Sequence, residues 1–281
     1  MIFYMMYFVL GLLIGSFLNV VIYRLPRMLE QQWKEECIQL FQLPAAQAQT
    51  TTSLNLCLPA SHCPQCQKPL SWFENIPLFS FLFLKGRCRF CQTRISLQYP
   101  LVEVVTALLF VLCAWRFGVE NELWLLAGFV FFSYLIALSV IDWQTQLLPD
   151  QLTLSLLWLG LLLNWHGGFV SLNDAVLGAA FGYISLWLVY WGFKIATGKE
   201  GLGYGDFKLL AALGAWVGWQ LLPLIILLGS LIGAVVGITQ MIRLKRGKEI
   251  PFAFGPYLAM AGGIVLLFGK QIMNAYLQFY Y

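Results

Sequence analysis

The stretch LWLLAGFVFFSYLIALSVI, residues 123–141, contains nineteen residues and no charged side chain. A single helix needs about 20 apolar residues to cross the bilayer core. Comparable runs recur at residues 2–21, 101–115, 175–193 and 221–242. Of the 281 residues, 60% are hydrophobic and 11% are charged, against roughly 25% charged residues in an average soluble domain. The chain is therefore predicted to be an all-α polytopic membrane protein in a lipid bilayer.

About eight transmembrane helices are predicted. Two of them are short, because a full crossing usually takes about 17 to 25 residues. Each short helix begins just after an aspartate, and a helix that starts at membrane depth must satisfy its free backbone groups against protein or water. The short helices therefore indicate a wet cavity. The predicted spans are 2–23, 101–118, 123–142, 151–165, 174–196, 208–220, 221–242 and 256–275.

Basic residues are divided unevenly between the two sides of the predicted membrane. With the N-terminus outside, the polar stretch 24–100 lies inside and carries eight Lys and Arg residues, and two later loops on the same side carry seven more. Fifteen of the seventeen basic residues are then cytoplasmic, as the positive-inside rule expects, and only Arg116 and Lys270 lie outside. The net charge of +4 is thus explained by topology, and no nucleic acid partner is predicted.

Four cysteines in the polar stretch form two C-x2-C pairs, CPQC and CRFC, separated by twenty-one residues. Two close thiolate pairs match a tetrahedral structural zinc site. Disulfides are disfavoured because the predicted compartment is reducing, and a redox C-x2-C motif needs only one pair. Four sulfur ligands leave no open position for a catalytic water, so the zinc is expected to hold the loop together. The predicted ligands are Cys63, Cys66, Cys88 and Cys91, with the adjacent His62 as an alternative ligand and Cys37, Cys57 and Cys113 as ordinary residues.

Carboxylates near the predicted helix ends are the candidate catalytic groups, because an acid at membrane depth is costly and marks a functional site by default. N-capping is the structural alternative for those at helix starts. Asp142 is predicted at a helix C-terminus, where the macrodipole disfavours negative charge, so capping does not explain it. The candidates are Glu103, Asp142, Asp150, Asp174 and Asp206.

Asp206 lies in GLGYGDFK, residues 201–208, where Gly203 and Gly205 let the backbone approach a substrate closely. A lone G-x-G-D is weak evidence, because short motifs often occur by chance. Two carboxylates held together share one proton, so that one acts as base on a water and the other as acid, as in aspartic proteases. From these residues alone, Asp206 is either a helix cap or the partner of Asp142.

Other functional classes have less support. The chain has no G-x-S-x-G or H-E-x-x-H motif, and its two histidines, His62 and His166, are predicted on opposite sides of the membrane. A transporter would carry acids near mid-membrane and paired structural repeats. A scaffold for a secretion machine would use the zinc loop for docking but would have no use for the glycine-rich turn. Both remain as alternatives.

Six blocks of sequence resemble, in order, the type IV prepilin peptidases, and they extend over nearly the whole chain. The resemblance implies that Asp142 and Asp206 are the catalytic pair and that Asp150 only starts a helix. The blocks are GSFLNVVIYRLP (15–26), the paired C-x2-C segment with SWFENIPL, YPLVE (99–103), DWQTQLLPD (142–150), GKEGLGYGDFKLLAALGAW (198–216) and FGPYLA (254–259).

The same resemblance implies what the protein does. Members of this family cleave the leader of prepilins and pseudopilins after a glycine, at the cytoplasmic face of the bacterial inner membrane, in type IV pilus biogenesis or type II secretion. The bifunctional members then methylate the new N-terminal residue with S-adenosylmethionine, whose binding residues the sequence does not indicate. Three regions are expected: a first transmembrane helix (1–23), a cytoplasmic zinc-binding domain (24–100) and the transmembrane peptidase domain (101–281).

Overall fold

The computed structural model describes residues 1–41, 55–199, 201–244 and 253–280. These residues form helices, with two short 3-10 turns at Trp72–Asn75 and Trp219–Leu221 and no β-strand within the described ranges. The all-α fold is thus confirmed. The α-helices are α1 (Ile2–Leu40), α2 (Phe79–Phe83), α3 (Gln98–Phe117), α4 (Glu122–Thr145), α5 (Asp150–Trp165), α6 (Leu172–Thr197), α7 (Tyr204–Val217), α8 (Leu222–Leu244) and α9 (Gly255–Tyr280).

Each of the eight predicted spans is helical, but not every one of these helices is long and apolar enough to be a candidate for a full crossing. Six segments are long and apolar enough to cross, and they correspond to α1, α3, α4, α6, α8 and α9. The helices α5 and α7 have 16 and 14 residues. The protein is therefore a multi-pass membrane protein, while the predicted count of about eight crossings is not confirmed.

The first helix is longer than predicted. Instead of ending at residue 23, α1 continues past Pro26 to Leu40. Good helix formers dominate residues 28–40. Side-chain hydrogen bonds at the i, i+4 spacing, from Gln31 to Glu35 (3.3 Å) and from Gln32 to Glu36 (3.0 Å), support this extension. The predicted end at the apolar boundary was wrong because helix formation does not stop where hydrophobicity does.

The chain divides into two compact units, Met1–Ala114 and Trp115–Tyr281. In the first unit, the Asn19 side chain on α1 donates a 3.0 Å hydrogen bond to the carbonyl of Tyr99 on α3. The buried Arg24 donates to the carbonyls of Asn55 (2.9 Å) and Pro59 (2.6 Å). One side chain of α1 thus fixes the start of the loop that carries the cysteines.

In the second unit, α7 is the central helix and packs against α5, α6 and α9. Gly214 on α7 meets Gly178 on α6 so closely that a Cβ on either would overlap the backbone of the other. Small residues permit such backbone contact between membrane helices. Two buried hydrogen bonds of 2.8 Å fix α5 against α7, from the Trp216 indole to the Leu156 carbonyl and from the Asn164 amide to the Ala215 carbonyl.

Candidate active site and metal centre

Asp142 lies near the C-terminus of α4 and is 5% exposed. Its Oδ2 accepts a hydrogen bond of 3.0 Å from the backbone N–H of Gly255, the first residue of α9. The N-terminus of a helix favours negative charge. The unfavourable position at the end of α4 is thus offset by the start of α9.

Asp206 is the third residue of α7 and is 7% exposed. Its carboxylate accepts a hydrogen bond from the backbone of Gly203, the N-cap residue. An acid at the third position that binds the N-cap N–H is one half of a capping box. The capping and catalytic interpretations of Asp206 are therefore compatible, because one carboxylate can do both.

The two aspartates are brought together around one leucine. A Cβ on Gly255 would lie 2.6 Å from Asp142 Oδ2 and 3.2 Å from Leu148 Cδ1. A Cβ on Gly205, directly before Asp206, would lie 2.7 Å from Leu148 Cβ. Asp206 is also close enough to experience the charge of Asp142. The missing side chain of Gly255 thus leaves room for Asp142, and that of Gly205 leaves room for Leu148.

The two glycines of the G-x-G-D motif have different roles. Gly203 has a φ of −83°, which other residues also adopt, and a Cβ there would make an ordinary 3.7 Å contact with Asp206. Gly205 has no such freedom, because Leu148 occupies the space of its side chain. Packing therefore requires the second glycine, while the first supplies the backbone N–H that Asp206 accepts.

Asp150 does not have the capping role that the sequence suggested. It is the first residue of α5, the N-cap residue is Pro149, and no side-chain cap bond is formed. Its two oxygens instead accept from Lys208 Nζ at 2.6 and 2.7 Å. Lys208 is two residues after Asp206, so this ion pair connects the first turn of α7 to the start of α5.

The other two acids are structural. The N–H of Asp174, in the first turn of α6, donates to the N-cap Ser171, and its carboxylate accepts from the side chains of Ser171 (2.7 Å), Trp219 (3.0 Å) and Gln220 (2.7 Å). Asp174 is thus structural, as predicted, although Ser171 is the cap residue. Glu103 belongs to the first compact unit, where it accepts the N–H of Leu78 at 2.8 Å.

Four residues of the aspartate site were not predicted from the sequence. Tyr257 on α9 is 2% exposed and close enough to Asp142 for their charges to interact. All four lie inside blocks that carried the family resemblance, which was the only available signal for them. They are Leu148, Lys208, Gly255 and Tyr257.

The four predicted cysteine ligands form one cluster in the first compact unit. Their sulfur atoms all lie within 4.8 Å of one another, with 3.7 Å between Cys63 and Cys91 and 4.0 Å between Cys66 and Cys88. Tetrahedral zinc, with Zn–S bonds of about 2.3 Å, holds its sulfurs roughly 3.8 Å apart. All four cysteines are free thiols. The cluster is therefore compatible with a bound metal ion.

The two cysteine pairs adopt the same backbone turn, twenty-five residues apart. In each turn the first cysteine accepts an N–H from the residue four positions later and donates its own N–H to the residue five positions later. These bonds join Cys63 with Gln67 (2.9 Å) and Lys68 (3.0 Å), and Cys88 with Gln92 (3.0 Å) and Thr93 (2.9 Å).

Two residues beside the cysteines, Thr93 and His62, bear on which groups could bind a metal ion. The side-chain and backbone hydrogen bonds of Thr93 lower the pKa of the Cys91 thiol to about 6, and the thiolate is the form that binds metals. His62 lies outside the cluster, with its Nδ1 at 3.0 Å from the Ala60 carbonyl. The alternative in which His62 replaces a cysteine ligand is therefore not supported.

Comparison with known proteins gives two matching family models. The Bacterial Peptidase A24 N-terminal domain matches residues 9–117, and the Type IV leader peptidase family matches residues 129–238. Similar proteins include the prepilin leader peptidase/N-methyltransferases of Pseudomonas aeruginosa and of Aeromonas salmonicida, each 54% identical over 96% of this chain and 92% of the relative. The protein of that name from Neisseria gonorrhoeae is 48% identical over 95% of this chain and 91% of its own. No solved structure matches.

Proposed function

The chain belongs to the type IV leader peptidase family, and we propose that it cleaves prepilin and pseudopilin leaders after a glycine, with Asp142 and Asp206 as the catalytic pair. One observation supports this most strongly. Two buried carboxylates from α4 and α7 lie close enough for their charges to interact, and each accepts a backbone N–H at a helix start. Paired carboxylates of this kind are the machinery of aspartic proteases.

The proposed reaction begins with one proton shared by the pair, because two close carboxylates do not readily both ionise. The ionised carboxylate takes a proton from a water as the water oxygen attacks the carbonyl carbon of the glycine. The protonated carboxyl donates its proton to the amide nitrogen of the bond that breaks. When the C–N bond breaks, the nitrogen leaves as an amine and the glycine as a carboxylic acid.

Lys208 and Asp150 are proposed to act as positioning residues. Their ion pair joins α7 to α5 two residues after Asp206. Small errors in the placement of a catalytic group reduce rates strongly. The pair would therefore contribute to rate through the position of Asp206 and not through contact with the substrate.

Methyl transfer to the new N-terminal amine is the second proposed activity. Its support is the N-methyltransferase activity in the names of the relatives. S-adenosylmethionine would supply the methyl group to the amine that cleavage releases.

The cysteine cluster is proposed to hold a structural zinc ion. The support is the donor set: four thiols at near-tetrahedral spacing on two equivalent turns. Zinc bound by Cys63, Cys66, Cys88 and Cys91 would cross-link residues 61–95, a segment whose regular structure is otherwise limited to one 3-10 turn and α2. Its contribution is to the folding of this segment.

We also propose that the protein lies in the bacterial inner membrane with both aspartates facing the cytoplasm. The support is the excess of Lys and Arg on that side. The division into a first transmembrane segment (1–23) at the start of α1, a cytoplasmic zinc domain (24–100) that includes the rest of α1, and a peptidase domain (101–281) is part of this proposal. A membrane-anchored precursor would then present its leader junction at the same surface.

The test is to incubate the full chain, in detergent or liposomes, with a purified prepilin and S-adenosylmethionine. Mass spectrometry of the product should show loss of the leader after a glycine and one added methyl group. An intact prepilin, under conditions where a relative from Pseudomonas aeruginosa cleaves it, would contradict the peptidase proposal. A cleaved but unmethylated product would contradict only the second activity.

A further inference from the structure

A second concave site lies in the unit Trp115–Tyr281, at the end away from the aspartates. It is a cavity of about 290 Å³ lined by the last residues of α3, the start of α4, the segment between α5 and α6, and α9. Trp124 at the cavity and Asp142 at the catalytic pair are eighteen residues apart on α4, which corresponds to about 27 Å. That separation is close to the roughly 30 Å thickness of a bilayer core.

An aromatic cluster forms one wall of this cavity. Phe117, Trp124 and Phe169 are in mutual contact, with ring centroids 5.3 to 6.4 Å apart. Buried aliphatic side chains, among them Val217 and Val265, complete the lining. Trp124 is of the residue type that concentrates at membrane interfaces, where one side of the ring is apolar and the other is wet. The wall is suited to hydrocarbon.

Two cations line the same cavity. Arg116 Nε donates to the Leu267 carbonyl at 2.6 Å, and Lys270 Nζ donates to the Phe169 carbonyl at 3.4 Å. The guanidinium carries five N–H donors, and within the described ranges it forms this one hydrogen bond. Both cations are held by neutral carbonyl groups, so their charge is not neutralised by these contacts.

Acidic neighbours do not compensate this charge. Glu120 and Glu122 are exposed at the same end, and the described ion pairs include neither of them with Arg116 or Lys270. Asp174 is occupied by Ser171, Trp219 and Gln220. The cavity therefore combines two uncompensated cations with an apolar wall.

We propose that this cavity binds an anionic phospholipid, with the phosphate between Arg116 and Lys270 and the first carbons of an acyl chain against Phe117, Trp124 and Phe169. A guanidinium fork matches a phosphate in geometry and charge, and basic pockets between membrane helices bind anionic headgroups. A free anion would not use the aromatic wall, and a neutral lipid would not use the cations.

The volume limits how much of the lipid enters. Pockets for whole small ligands start at about 300 Å³, so 290 Å³ accommodates the headgroup region and part of one chain. The rest of both chains would remain in the bilayer. In the proposed topology this is the leaflet away from the cytoplasm. The lipid site does not depend on the proposed cleavage reaction. A failure of either proposal therefore leaves the other unaffected.

Native mass spectrometry of the full chain tests this site. The protein is titrated with phosphatidylglycerol, with phosphatidylcholine of the same acyl chains, and with inorganic phosphate. One phosphatidylglycerol should be retained about tenfold more tightly than phosphatidylcholine, and phosphate alone should not be retained. Equal retention of the two lipids, or retention of phosphate alone, would overturn the proposal without any variant.

Variants then locate the site. Arg116→Gln with Lys270→Gln should remove the preference for phosphatidylglycerol. The matched control, Lys194→Gln with Lys199→Gln, removes the same amount of charge at the far end of α6. This control should keep the preference for phosphatidylglycerol. Val170→Trp fills the cavity while both cations remain, and it should also lose the lipid. A preference that survives both site variants would overturn the assignment of this cavity, with helix content by circular dichroism confirming that each variant folds.

Discussion

Asp142 Oδ2 accepts a 3.0 Å hydrogen bond from the Gly255 N–H, although the two residues are 113 positions apart in the chain. The bond places a carboxylate from the end of α4 at the start of α9. The C-terminus of α4 disfavours this negative charge, but the N-terminus of α9 stabilises it. The glycine is required at this contact, because its missing side chain is the space that Asp142 occupies.

Gly255→Ala should therefore reduce cleavage by about a hundredfold, the order of loss expected when a catalytic group moves by about 1 Å. The added Cβ would lie 2.6 Å from Asp142 Oδ2, so the carboxylate must move. Gly192→Ala on α6, where a Cβ would meet nothing within 4 Å, is the control and should cleave normally. Equal rates for the two variants would show that Gly255 does not position Asp142. Rates are measured with purified protein and a prepilin.

Gly205→Ala should also slow cleavage, and a second substitution should restore it. The new Cβ would overlap Leu148, 2.7 Å away, and push the first turn of α7 outwards. Leu148→Gly removes the overlapping Cβ together with the rest of the side chain and so relieves the crowding. The double variant should be faster than Gly205→Ala alone. If the two losses simply multiply, the crowding explanation is wrong.

Lys208→Met should lower kcat several-fold with little change in KM, because the ion pair with Asp150 positions Asp206. The effect on stability should be below about 1 kcal/mol, since both side chains are partly exposed. Lys208→Arg keeps the charge and should recover most of the rate. A change confined to KM would indicate that Lys208 contacts the substrate instead.

Cys63→Ser with Cys88→Ser should abolish zinc binding, because each substitution removes a ligand from one of the two turns. Elemental analysis of the purified protein should give one zinc per chain for the wild type and none for this variant. Cys37→Ser changes an exposed cysteine outside the cluster and should leave the zinc in place. Wild-type protein without zinc, or a zinc-loaded double variant, would contradict the proposal.

The sequence predicted the helices well because an apolar run of about 20 residues is a direct signal of a membrane helix. All eight predicted segments are helical, including the two short ones, α5 and α7. The end of α1 was not predictable in the same way. Residues 28–40 are polar, and hydrophobicity carries no information on a helix that continues beyond the apolar region.

The candidate site was predicted in part. Asp142 was singled out by its place at a helix C-terminus and Asp206 by the family resemblance, and the structure brings the two carboxylates close enough for their charges to interact. Asp150 begins α5 as the resemblance implied, but it does not cap the helix, and the sequence did not reveal its ion pair with Lys208, 58 residues away. Gly255 and Leu148 could not be assigned either. Their importance comes from contacts between distant segments, which a single sequence does not reveal.

The most direct test of the central claim compares prepilin cleavage by Asp142→Asn, Asp206→Asn and the double variant, each purified from membranes in normal amount. In the proposed reaction the two carboxylates act on one water, so each single variant should fall to background and the double variant should be no slower. Glu122→Gln, an exposed acid in the first turn of α4, is the control and should cleave at the wild-type rate. Substantial cleavage by either single aspartate variant would contradict the dyad.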